Sequence, residues 1–163
     1  MVEFSDGFVE FLPIPTLSHQ LILLFLYDAS KAFVSASRLG IVLVAPFQVK
    51  LWEGKYREPD LLYMKEENRA RLGEQFSEGA DLVVEVASDD DRRRDLEVRR
   101  SEYARAGIPE YWIVDPQAER IPVLFLDGGS YAVHGEFGRG TVAASRLLPG
   151  ISVAVDPVFD LKR

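Results

Sequence analysis

The chain has 163 residues, 47% of them hydrophobic, which is the size and composition of one domain able to bury a core. It carries a net charge of −7 and no cysteine. That excludes disulfides, thiolate metal sites and cysteine nucleophiles, and it argues against a general electrostatic grip on nucleic acid. A chain without cysteine fits a reducing compartment, so the cytoplasm is the expected location.

In chain order, the first expected element after an N-terminal tail is a helix over residues 17–38, with Thr16 or Ser18 as N-cap and Gly40 as its stop. Its apolar run, residues 21–27, is far short of the roughly 20 needed to span a bilayer and reads as a core helix. The start lacks a basic leader and two prolines precede the apolar run, so no cleaved signal peptide is expected; no membrane partner is expected either. Strands follow at 41–45 and 47–52, broken at Pro46. After a turn-like stretch, 59–64 alternates so that Asp60, Leu62 and Met64 share one face.

A charged segment over 65–79 leads to the strand 81–87, where Glu85 faces the same way as Val83 and Ala87. Residues 91–106 read as a helix stopped by Gly107 and Pro109, and 111–116 returns as a strand ending in a turn at Asp115. Two further strands flank a hairpin turn at 127–130, the first placed at a sheet edge by Pro122. This order gives an α+β (mixed α/β) fold with a curved mixed β-sheet flanked by helices, in one domain over 1–163.

Phosphate-loop and dinucleotide-binding signatures are missing, and serine catalysis is poorly supported without a GxSxG elbow. Two strand carboxylates remain, Asp60 and Glu85, each on an otherwise apolar face. Isolating a carboxylate from water costs several kcal/mol or more without compensation, so each needs a partner. A hard divalent cation is one candidate, and an arginine from the following helix is the other. On that helix Asp95, Arg99 and Glu102 or Tyr103 share a face, so Arg99 either reaches back over the strand or pairs with Asp95. Residues 91–105 hold six arginines against four acids, a basic island in an acidic chain. Arg92, Arg93 and Arg94 are the candidate DNA contacts there, against the plainer reading of a solvated, salt-bridged face. His19 could approach the site or serve as a cap or core residue. Glu10, on an early extended stretch, could point towards it. Tyr111 and Trp112 are expected in the core.

The segments Glu58-Pro59-Asp60, Glu85-Val86-Ala87-Ser88, Asp95-Leu96-Glu97-Val98-Arg99-Arg100 and the run from Tyr103 to Pro116 occur in order, joined by PTLSHQ at 15–20 and LLPG at 147–150. Together they resemble the bacterial "putative restriction endonuclease" family of the PD-(D/E)XK nuclease superfamily. The resemblance implies a restriction-endonuclease-like core and Mg2+- or Mn2+-dependent hydrolysis of DNA phosphodiester bonds by a homodimer. It implies Asp60 and Glu85 as metal ligands, with the Val86 carbonyl beside them. Ala87 stands at the motif's lysine position, and the lysine that the family carries on the next helix is Arg99 here. Arginine cannot act as a base, so Arg99 is expected to stabilise charge on the phosphate. A catalytically weak or inactive nuclease-like DNA-binding or accessory protein is the alternative.

Overall fold

The structure is a computed structural model that describes the backbone of residues 2–5, 7–11, 14–87 and 92–161, and the side chains of 7–9, 14–87 and 96–161. Its centre is a six-stranded mixed sheet built from β3 (Gly40–Val44), β6 (Leu61–Lys65), β8 (Leu82–Val86), β9 (Glu110–Val114), β10 (Arg120–Asp127) and β11 (Ser130–Gly138). The spatial order is β11-β10-β9-β8-β6-β3, with β8 and β9 parallel and every other pair antiparallel. Every residue of β8 is buried, as expected of a central strand with both faces covered. The chain is therefore mixed α+β with helices against the sheet, as its alternating periodicities indicate.

One face of this sheet packs on α1 (Leu17–Ala36), whose Ile22, Leu23 and Leu26 meet Leu82, Val84 and Val86. The other face packs on α2 (Arg92–Arg105), where Val83, Leu62 and Met64 meet Tyr103, Ile108 and Tyr111. Each such buried aliphatic side chain contributes about 1.5–3 kcal/mol. The first helix starts where Thr16 accepts the His19 amide at 3.2 Å, which makes Thr16 the N-cap. The second ends at Gly107, at φ +75°, with the Ile108 amide donating to the Tyr103 carbonyl at 3.1 Å. Trp112 and Tyr111 lie in the core on opposite faces, as expected.

A second sheet has the order β2-β1-β5-β4-β7, from β1 (Val2–Ser5), β2 (Phe8–Phe11), β4 (Gln48–Trp52), β5 (Lys55–Arg57) and β7 (Phe76–Glu78). Its N-terminal hairpin replaces the expected tail, and β5 occupies what reads in sequence as a turn. Three residues of alternating Lys-Tyr-Arg are too short a run to register as a strand without the partners that β1 and β4 supply. Beyond these, β12 (Val142–Ala144) pairs with β13 (Ser152–Ala154), and α3 (Val155–Asp160) packs on α1's side of the main sheet.

The edge position expected from Pro122 is incorrect, because β10 lies between β9 and β11. The strand β9 pairs only with Val123, Leu124 and Phe125, so Pro122 sits just beyond that stretch, where no ladder bond to β9 is demanded of it. The hairpin after it turns on Gly128 and Gly129, both at positive φ, as a two-residue connection requires.

Gly40 does not end α1 but opens β3, at φ +146°. A Cβ there would stand 2.0 Å from the Met64 carbonyl oxygen. Gly40→Ala is expected to cost about 2 kcal/mol or more, seen as a fall in Tm of roughly 4–8 °C in a thermal scan. An unchanged melting curve would show that the β3–β6 ladder can part at this point.

Candidate active site

The antiparallel register pairs Leu61 with Val84, and continuing it one position sets Asp60 against Glu85. Both are buried at 7% exposure, at the end of β8 where α2 approaches. This juxtaposition is what the alternation of the two strands predicts, since directly opposed residues project on one face.

Asp60 is held by two donors on one oxygen. The Val86 amide donates to Oδ2 at 2.7 Å, and His19 Nε2 lies 3.2 Å from the same atom. The cap at Thr16 places His19 in the first turn of α1, which brings its ring to the sheet. Its other nitrogen, Nδ1, is buried and has no hydrogen-bond partner among the described residues. Asp60 Oδ1 accepts no hydrogen bond from the described residues.

Glu85 is met from the other side. Arg99 Nη1 donates to Oε1 at 2.8 Å, and the Tyr103 hydroxyl donates to the same oxygen at 2.5 Å. Of the two partners open to Glu85, an arginine from the following helix is therefore present. Arg99 reaches back over the strand, while the Asp95 side chain lies outside the described residues. Tyr103 is fully buried, and that burial, with the Glu85 charge next, pushes its phenol well above the usual range. It remains a protonated donor.

The second sheet adds charges that sequence reading did not assign to the site. Lys55 Nζ lies 2.6 Å from Glu102 Oε1, and Arg57 Nε donates to Glu102 Oε2 at 2.7 Å. Gln48 donates to Glu58 at 3.0 Å, beside the Pro59-Asp60 step. Glu102 stands one turn from Arg99 on α2, so this buried cluster fixes the helix face that addresses Glu85. The signal was available in the alternation of Lys55 and Arg57, two cations on one face of a short strand immediately before Asp60. His134 is exposed on β11, and Asp115 caps its own turn by accepting the Ala118 amide at 2.8 Å, so neither belongs here. Glu10 and Arg92, Arg93 and Arg94 have side chains outside the described residues.

Two other buried carboxylates provide a contrast. Asp81 accepts from the Lys65 amide and the Asn68 amide group, and Glu110 from Trp112 and the amides of Arg146 and Leu147. Both lie at the starts of the parallel pair β8 and β9, whereas Asp60 and Glu85 lie at its far end. At the starts, every partner is a neutral donor and the acids serve as staples. At the far end, the acids meet an arginine, a histidine and a phenol.

Among the described residues no group of three His, Asp or Glu forms a metal-holding cluster. That is compatible with a hard ion of the magnesium kind, which takes one or two carboxylates and fills its other positions with water and phosphate oxygens. The donor set of Asp60 and Glu85, with Oδ1 of Asp60 uncommitted to described donors, fits such an ion. Among the described residues no helix is long and apolar enough to cross a membrane.

A family model described as Uma2, "Putative restriction endonuclease", matches residues 1–156. The chain belongs to the Uma2 family. A solved structure, described as a putative nuclease belonging to DUF820 from Anabaena variabilis ATCC 29413, matches with a TM-score of 0.79 at 14% identity. The match covers 98% of this Uma2 chain and 90% of that one, and it establishes a shared fold. No curated protein matches in sequence. The acid pair, the helix that follows Glu85 and the long Tyr103–Pro116 run all lie within the part that the Uma2 model matches.

The tyrosines of this Uma2 fold set an alkaline limit. Burial, then the Asp81 charge, pushes Tyr63 up to about 12, and burial raises Tyr103 and Tyr131 as well. A phenol whose folded pKa is raised stabilises the fold below its unfolded value near 10, and that contribution is lost as pH climbs towards the folded value. Tm is therefore expected to hold up to about pH 9.5 and to fall between pH 10 and 12. A flat Tm across that range would contradict the burial of these phenols.

Proposed function

We propose that the protein is a divalent-metal-dependent DNA endonuclease, acting as a cytoplasmic homodimer with one domain per chain. The observation that carries this reading is the pairing of two buried carboxylates, Asp60 and Glu85, at one strand end in a Uma2 chain. Asp60, Glu85 and the Val86 carbonyl would hold Mg2+ or Mn2+. A bound ion of this kind neutralises phosphate charge and makes water a better nucleophile at neutral pH. Arg99 places a permanent positive charge beside the acids, where negative charge builds on the scissile phosphate. Tyr103 and the Lys55–Arg57–Glu102 cluster fix the acids and the helix. His19 orients Asp60, and Arg92, Arg93 and Arg94 would meet the DNA backbone.

The test is cleavage of plasmid, linear duplex and single-stranded DNA with and without Mg2+ or Mn2+, using Glu85→Ala as control. Ion-dependent cutting that is lost in the control supports the reading. Cutting by Glu85→Ala at the wild-type rate contradicts it.

A second reading, a nuclease-like DNA-binding or accessory protein without turnover, draws on one observation. Glu85 is already neutralised by Arg99 and bonded by Tyr103. DNA binding with neither cleavage nor ion binding would favour it.

A further inference from the structure

We propose that the outer edge of β3 is the dimer seam, where two copies of the chain pair antiparallel about Val42 and join their main sheets into one. This rests on the homodimer reading above and names the surface that forms it. The six-stranded sheet ends on β3 at one side and on β11 at the other. Edges that stay open in natural proteins carry bulges, charges or proline that discourage pairing. The strand β11 has such devices: a bulge between Val133 and Gly135, exposed His134 and Glu136, and a Tyr131 carbonyl taken by Arg100 at 2.7 Å. The strand β3 reads Gly-Ile-Val-Leu-Val and has none of them.

Hydrogen bonding sets the register. The Ala45 amide donates to the Asp60 carbonyl and the Glu66 amide to the Leu39 carbonyl. The odd-numbered residues of β3 therefore face β6, and Gly40, Val42 and Val44 turn their backbone groups outward. Apart from the Phe47 amide, 3.4 Å from the Val44 carbonyl, no described residue bonds to that side. Val42 is only 6% exposed and lies in a groove of about 400 Å3, flanked by Tyr27 on the α1 side and by Phe47, Leu72 and Glu74. A buried N–H and C=O demand partners, and an added strand supplies them at this two-residue spacing. A second copy fits as that strand. A two-fold axis at Val42 pairs Val42 with itself and Gly40 with Val44 of the other copy. It also sets Arg38 opposite Pro46 of the other copy, next to Phe47, which shares the groove with Glu74. Arg38 and Glu74 are exposed, and neither has an ion-pair partner among the described residues, so the seam brings opposite charges together at both ends. The axis stands perpendicular to the joined sheet, so Asp60, beside Ala45 in each copy, opens on the same side in both, roughly 25 Å apart at ordinary strand spacings. Two sites on one side of one assembly suit a substrate of two strands.

The experiment is size-exclusion chromatography with light scattering on the full chain at several concentrations, with hydrogen exchange read over residues 39–46. Wild type is expected at twice the chain mass, with the Gly40, Val42 and Val44 amides protected, and that protection is expected to fade as dilution yields monomer. Val44→Pro removes an outward amide and sets a ring against the other copy, a change that an edge strand tolerates, so it is expected to be folded and monomeric. Arg38→Glu is expected to weaken the dimer at least about tenfold, and adding Glu74→Arg to restore it. Thermal melting checks that each variant is folded, and should Val44→Pro fail to fold, the charge exchange still decides. A wild-type dimer that neither Val44→Pro nor Arg38→Glu weakens overturns this inference and leaves the homodimer reading standing. A wild type that is monomeric at every concentration overturns both. Protected β3 amides in such a monomer would assign the groove to another segment of the same chain.

Discussion

Replacing Asp60 with asparagine is expected to weaken Mn2+ or Mg2+ binding by at least about 100-fold, since even residues behind a metal's ligands cost 10–100-fold when lost. Metal-dependent cleavage should fall at least as far. The substitution keeps the shape and leaves a side-chain oxygen that can still accept the Val86 amide, which now donates to Asp60 at 2.7 Å. The strand end should therefore stay in place, and Tm should change little. What is lost is the negative charge and the open Oδ1 acceptor. The comparison needs calorimetry for the ion, a gel assay for DNA and a thermal scan for the fold. If ion affinity is unchanged in a folded Asp60→Asn, Asp60 is not a ligand.

The opposite result is expected at Glu110. Its side chain is 0% exposed, and it accepts from Trp112 Nε1 at 2.7 Å and from the amides of Arg146 and Leu147 at 2.9 and 2.7 Å. Glu110→Ala strands three donors and opens a cavity. At about 1–3 kcal/mol for each unsatisfied group, the loss should reach about 3–5 kcal/mol, a large share of the stability of a domain this size. Glu110→Gln can keep the two backbone amides on its oxygen, but it turns its own NH2 towards the indole N–H. It is expected to cost about 1–3 kcal/mol. Urea denaturation measures both. A loss under about 0.5 kcal/mol in the alanine variant would mean that water reaches these donors.

These two acids show what the sequence makes legible and what it hides. Asp60 and Glu85 stand out because each interrupts an apolar alternation, and strand register then forces them together. The positions of α1, β8 and α2 follow from the same periodicities. Glu110 escapes notice because its partners, Arg146 and Leu147, come from a distant loop that no local pattern connects to it. The second sheet is hidden for a related reason, since β5 and β7 are three residues each: β5 closes a tight hairpin with β4 and also meets the distant β1, and β7 forms only by pairing with β4. Arg99 falls between these cases. Helical spacing shows that it can reach back, but the choice between Asp95 and Glu85 depends on how α2 lies on the sheet.

Placing the structural acids at the starts of β8 and β9, and the site acids at the far end, separates two kinds of work along one pair of strands. Glu110 opposes Leu82, and Glu85 is three residues further on, about 10 Å at the rise of a strand. At that range substitutions tend to combine additively. The chain should therefore accept stabilising changes around Glu110 without retuning the proposed ion site, and changes of chemistry around Arg99 without loosening the staple. A lineage carrying this fold could explore new specificities at one end while the other end keeps it folded.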